Sequence, residues 1–139
     1  MHYVYYSHED VCNRRKYVMY EGRYNYRQAV AKCDAEGGVI AMAADQDTFD
    51  CLFGMFKTYR SRGGKINLVH LDGSLGVMNQ QFSGWFCVNT GGACPATMPW
   101  QPGQPDQPDS QRCVVLWPPF HKGVENAFCG LKKMVICQF

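Results

Sequence analysis

The chain contains no long run of charge of either sign, Arg14-Arg15-Lys16 and Lys132-Lys133 being short clusters, and no apolar stretch near the ~20 residues that span a bilayer. With 14 basic and 12 acidic residues the net charge is +2. Neither a nucleic-acid partner nor membrane insertion is therefore expected, since short basic clusters are ordinary solvated surface. No Cys-x-x-Cys pair occurs, and His2, His8 and His121 lack a His-x-x-x-His companion, which speaks against zinc and against a dithiol redox site. His70 sits in an apolar run and reads as a packed residue rather than a base. Asn-x-Ser/Thr is missing, so no N-linked glycan is expected. The stretch Asp72 to Gly76 lacks the first glycine of a nucleophile elbow, and no nucleophile and base constellation stands elsewhere, so no enzyme is expected. The opening MHYVYYSHED is aromatic and charged, unlike a signal peptide, and is expected to begin a mature ectodomain fragment with an added Met1.

What is present in quantity is cysteine. Eight in 139 residues, an even number, predict a disulfide framework and hence an oxidising, secreted or extracellular setting. The length and the 46% hydrophobic content suit one domain, residues 1–139, with a core of its own. Tyr26, Ala29, Val30 and Cys33 recur at helical spacing, with Asn25 as N-cap, Gln28 three residues on and Gly37-Gly38 as the stop. The same spacing recurs at Phe49, Leu52, Phe53 and Phe56, behind the acidic Asp45 and Asp47 that suit a helix N-terminus. A strand is predicted over Ile66 to Leu71, closed by an Asp72-Gly73 turn. From Gly73 to Ala127 glycine, proline, Asn and Gln dominate, and a long looped region results that cysteines must hold. CVVL (Cys113 to Leu116) and MVIC (Met134 to Cys137) read as short strands.

Within that region GQPDQPD, Gly103 to Asp109, sets two Gln-Pro-Asp tripeptides nearly back to back after Trp100. The order of landmarks resembles a C-type lectin-like domain from about Lys16 to Gln138. A helix ends in Cys33, a second helix follows, and LVHL (Leu68 to Leu71) stands at the place of that family's Trp-Ile-Gly-Leu strand. Trp85, Trp100 with GQPD, CVVL, Cys129 and the final ICQ at Cys137 follow in order. The resemblance implies an α+β fold with two helices, short antiparallel strands and a long disulfide-tied loop region. It further implies bridges Cys33–Cys137 and Cys113–Cys129, and places Trp85 and Trp100 in the core. Cys87 and Cys94 are close neighbours in a glycine-rich loop and are expected to pair. Cys12 and Cys51 then remain, to pair with each other or with another chain.

In calcium-binding members the proline of this motif is cis, which brings the flanking side-chain oxygens to one point. The resemblance then implies Ca²⁺ as cofactor, held by Gln104, Asp106, Glu125 and Asn126; Asp109, from the second tripeptide, is a candidate for a further carboxylate. The amide-first order goes with galactose and N-acetylgalactosamine in that family. Gln107-Pro108-Asp109 is a rival copy; the first is favoured because Gly103 and Trp100 keep the family register. Three positions depart from the pattern: an acidic ligand is replaced by Gln111, and Trp-Asn-Asp by Val124-Glu125-Asn126. Two carboxylates, Asp106 and Glu125, stand where three are usual, so calcium affinity is expected at roughly 10⁻⁴ to 10⁻³ M. Gln111 and Glu125 form an amide and acid pair able to bracket a sugar hydroxyl. Trp117 and His121, in Trp117-Pro118-Pro119-Phe120-His121, are candidates for an exposed stack on a galactose ring, or for a turn that packs its own aromatics. Two partners stay open at this loop surface: a glycan bound through calcium, or a protein bound without it.

Overall fold

A computed structural model describes residues 7–65, 68–78, 84–107, 109–118 and 121–139, the side chains of Ser7 and His8 excepted. In chain order the elements are β1 Ser7–Cys12, β2 Arg15–Tyr24, α1 Tyr26–Ala35, β3 Val39–Ile40, α2 Gln46–Ser61, β4 Val69–Ser74, β5 Phe86–Cys87, β6 Gly92–Ala93, β7 Cys113–Leu116, β8 Glu125–Ala127 and β9 Lys133–Gln138.

Both helices start where local chemistry dictates. Asn25 caps α1 by accepting from the Gln28 N–H at 2.8 Å, while Gln28 Oε1 accepts the Asn25 N–H at 3.0 Å. Beyond α1 the chain turns at Gly37, φ +87°, and the Gly38 N–H reaches back to the Cys33 carbonyl. Asp45 caps α2 through the Thr48 N–H at 2.9 Å, a bond that holds its carboxyl below the usual range. The buried face of α2 is Phe49, Leu52, Met55, Phe56 and Tyr59, with Phe53 half-buried beside it.

The strands run in the order β1-β2-β9-β4-β5-β6, with β3 on β9 and β7 between β4 and β8. Where short antiparallel strands were expected, the β4 and β9 pair is parallel, Val69 opposite Met134. The hairpin of β1 and β2 answers to no element expected from the sequence. Its two-residue turn places Asn13 and Arg14 at φ 50° and 65°, the left-handed pair that matches the twist of the flanking strands. The strand expected to close at Leu71 instead runs through Asp72 and Gly73 to Ser74; its start at Ile66 lies outside the described residues. Gly73 is there for closeness, not for a turn: a Cβ would stand 2.4 Å from Val114 Cγ2 on β7.

One core cluster packs α2 against the inner sheet face (Phe49, Leu52, Phe56, Leu71, Val114, Ile136), and a second surrounds α1 (Tyr26, Ala29, Ile40, Val135). The half-buried Trp85 and Trp100 pack on the first, ring centroids 5.2 Å apart. Four disulfides tie the chain: Cys33–Cys137 joins α1 to β9, Cys113–Cys129 closes the loop that carries β7 and β8, Cys87–Cys94 closes the hairpin of β5 and β6, and Cys12–Cys51 staples β1 to α2. By loop-closure entropy the first, closing 104 residues, stabilises by roughly 4 to 5 kcal/mol.

Candidate functional site

The loop after Trp100 is hung from β8. Val124 pairs with it through the Gln101 N–H to Val124 carbonyl bond at 2.9 Å and the Val124 N–H to Pro99 carbonyl bond at 2.7 Å. Gly123 permits the approach, since a Cβ would stand 2.3 Å from the Pro99 oxygen. Beyond the turn at Gly103 the Gln104–Pro105 peptide bond is cis, so the first of the two tripeptides carries the bend. In the second, Gln107 has φ 45° and Pro108 lies outside the described residues.

Asn126 fastens this loop. Its Oδ1 accepts the Asp106 N–H at 3.0 Å, and its Nδ2 donates to the Asp106 carbonyl and, at 2.7 Å, to the Gln111 carbonyl. The family resemblance implies a metal ligand at this position; in the structure its amide braces the loop. An ionised carboxylate could not fill that role, because it accepts but does not donate.

Next to Asn126, on β8, Glu125 is buried, and its carboxyl is pushed up to about 7, first by burial and then by the charge of Asp106. Glu125 Oε2 and Gln104 Oε1 are both buried without a hydrogen-bond partner among the described residues. Gln104, Asp106, Gln111, Glu125 and Asn126 together line a cavity of about 240 Å³. Leu68, Val115, Trp117, Ala127, Phe128 and Leu131 form the rest of the lining. Of the expected site residues, then, these five polar ones and Trp117 are brought together. Asp109 is exposed and away from the cavity, its carbonyl accepting from Arg112 Nε, and does not supply a third carboxylate there. His121 is exposed and likewise absent from the lining, while Phe120 lies outside the described residues. His70 is a core residue, its Nε2 2.7 Å from the Leu131 carbonyl, and burial lowers its pKa.

The donor chemistry suits a hard divalent cation: an amide oxygen and two carboxylates around one cavity, two of those oxygens left without another partner. Among the described residues no group of three or more His, Cys, Asp or Glu that could hold a metal ion gathers, so a cation here would need the amide oxygen of Gln104 beside the two carboxylates. The apolar share of the lining, Phe128 above all, was not visible in the sequence, where Phe128 is merely the neighbour of a bridged cysteine.

No protein-family model matches the chain, and no curated protein matches it. Solved structures do. Human lithostathine superposes with a TM-score of 0.76 at 17% identity, over 94% of this chain and 95% of that one. The cow C-type carbohydrate-recognition domain of CD23, solved in the presence of a GlcNAc2Man3 oligosaccharide, gives 0.70 at 16% identity, over 94% and 92%. A Ca²⁺-dependent type II antifreeze protein in its Ca²⁺-free form gives 0.74 at 15% identity, over 94% and 96%.

Proposed function

From the C-type lectin-like fold that these likenesses identify, we propose that the chain is a secreted or extracellular carbohydrate-binding module, not an enzyme, which takes a glycan of galactose or N-acetylgalactosamine type through Ca²⁺. One observation carries this: Gln104 Oε1 and Glu125 Oε2 are buried, have no hydrogen-bond partner among the described residues, and belong to side chains that share a cavity with the Asp106 carboxylate. Buried polar atoms cost free energy unless something satisfies them, and a hard cation satisfies oxygens best. Gln104, Asp106 and Glu125 are the side chains that would hold it, with Asn126 keeping Asp106 in place. Bound Ca²⁺ supplies open coordination positions for vicinal hydroxyls. Glu125 and Gln111 flank such a hydroxyl as acceptor and amide. The four disulfides support the extracellular setting. Because Glu125 must lose its proton to act as a ligand, calcium affinity rises as pH rises through about 7.

Calorimetric titration with Ca²⁺, followed by a glycan array with and without chelator, tests the proposal. Heat at millimolar calcium and chelator-sensitive galactoside signals are expected; a flat titration and a blank array would overturn it. That second outcome favours calcium-independent protein recognition at the same surface, whose loop Asn126 holds through hydrogen bonds to Asp106 and Gln111.

A further inference from the structure

Among the described residues the large hydrophobic side chains left exposed are Val11, Met78, Trp117 and Phe128, and two of these, Trp117 at 41% and Phe128 at 50%, line the cavity of Gln104 and Glu125. Leu68, Ala127 and Leu131, each half-buried, complete the apolar share of that lining. The cavity is thus split by chemistry. The polar share is matched by hydroxyls. A ring that stacks its C–H face on one of the two exposed aromatics while its hydroxyls engage Gln104, Asp106 and Glu125 leaves the other for a further apolar group. Hydroxyls laid over Leu68 and Leu131 would lose water with nothing in return, whereas an apolar group placed there gains from burial.

We propose that the ligand is an amphiphilic glycoconjugate: a sugar held at Gln104, Asp106 and Glu125, carrying an apolar aglycone that packs on Leu68, Trp117, Phe128 and Leu131. This rests on the glycan reading of the same cavity and names the part of the ligand which that reading leaves open. Phe128 and Leu131 select for the aglycone and touch no sugar hydroxyl.

The test is a calorimetric comparison of methyl and hexyl β-galactosides, and of the matching N-acetylglucosaminides, in calcium and in chelator, for wild type, Phe128→Ser and Leu131→Asn. In calcium the hexyl glycoside is expected to bind wild type about tenfold more tightly than the methyl one. Either substitution should cut that preference below about threefold. Equal affinity of methyl and hexyl glycosides for wild type overturns the inference, as does a preference that survives both substitutions. Calcium-dependent methyl glycoside binding with no hexyl preference removes the aglycone subsite and keeps the glycan reading. A hexyl preference that persists in chelator and is lost in both variants keeps the subsite and removes the calcium reading. Binding of no glycoside removes both.

Discussion

Asp72 and Glu125 are the buried carboxylates among the described residues, and their surroundings differ. Asp72, on β4, accepts the Val88 and Asn89 N–H groups at 2.8 Å each and Asn89 Nδ2 at 3.0 Å, with the Tyr26 hydroxyl at 3.5 Å. Asn89 continues the network to the Ile40 carbonyl and to Gln138, whose Oε1 accepts the Met42 N–H. Burial raises the pKa of Asp72 and these hydrogen bonds oppose the rise. Glu125, on β8, has burial and a like charge both raising its pKa, and one oxygen without a partner. Burial of an acid therefore does not by itself mark a binding site. The chain completes the shell of Asp72 and uses it to pin the hairpin of β5 and β6. Around Glu125 the shell is incomplete among the described residues.

Substitutions can break this contrast, starting with the completed side. Asp72→Ala strands buried N–H groups from two residues and an amide, and is expected to cost about 3 to 5 kcal/mol in urea unfolding with disulfides intact. Next in size is Asn126→Asp. From the sequence this change restores an acid and tightens calcium binding, but the geometry turns a carboxylate toward the Asp106 and Gln111 carbonyls. A loss of roughly 1 to 3 kcal/mol in the calcium-free protein follows, read by the same unfolding experiment. Glu125→Gln acts on the incomplete side. At calcium tenfold above its Kd the wild type should gain about 1.4 kcal/mol, seen as a rise in melting temperature, and the variant should lose that gain.

Without calcium the sign reverses. A carboxyl whose folded pKa, about 7, exceeds its ordinary value of 4.5 binds more protons folded than unfolded, so wild-type stability falls as pH rises from 4.5 to about 7. Glu125→Gln should flatten that slope in a melting series across the same range; an unchanged slope assigns the titration to another group. The smallest effect belongs to Asp109→Asn. An exposed carboxylate outside the cavity should shift stability by less than about 0.5 kcal/mol and leave the calcium titration unaltered.

What could be read from the sequence was whatever its own neighbours determine. Asn25 and Gln28 announce α1 because the capping partners lie three residues apart. The bend at Gln104-Pro105-Asp106 is carried by its own proline. Asp72 and Gly73 misled because an acid followed by glycine usually turns the chain, while here the partners of Asp72 lie 16 and 17 residues downstream. Asn126 hid its task for the same reason, its partners being 15 and 20 residues upstream. The hairpin of β1 and β2 escaped notice because Tyr17, Val18 and Met19 are buried in succession, which erases the alternation that marks a strand with one wet face.

The brace that Asn126 makes also sets the kinetics of the loop. A segment tied at Asp106 and Gln111 to β8 reaches its shape when the protein folds, so a ligand binding there would have little ordering left to drive. Association should then proceed at a rate set by encounter rather than by loop rearrangement. The Asp106 amide proton, held by Asn126 Oδ1, should exchange with solvent equally slowly with and without calcium.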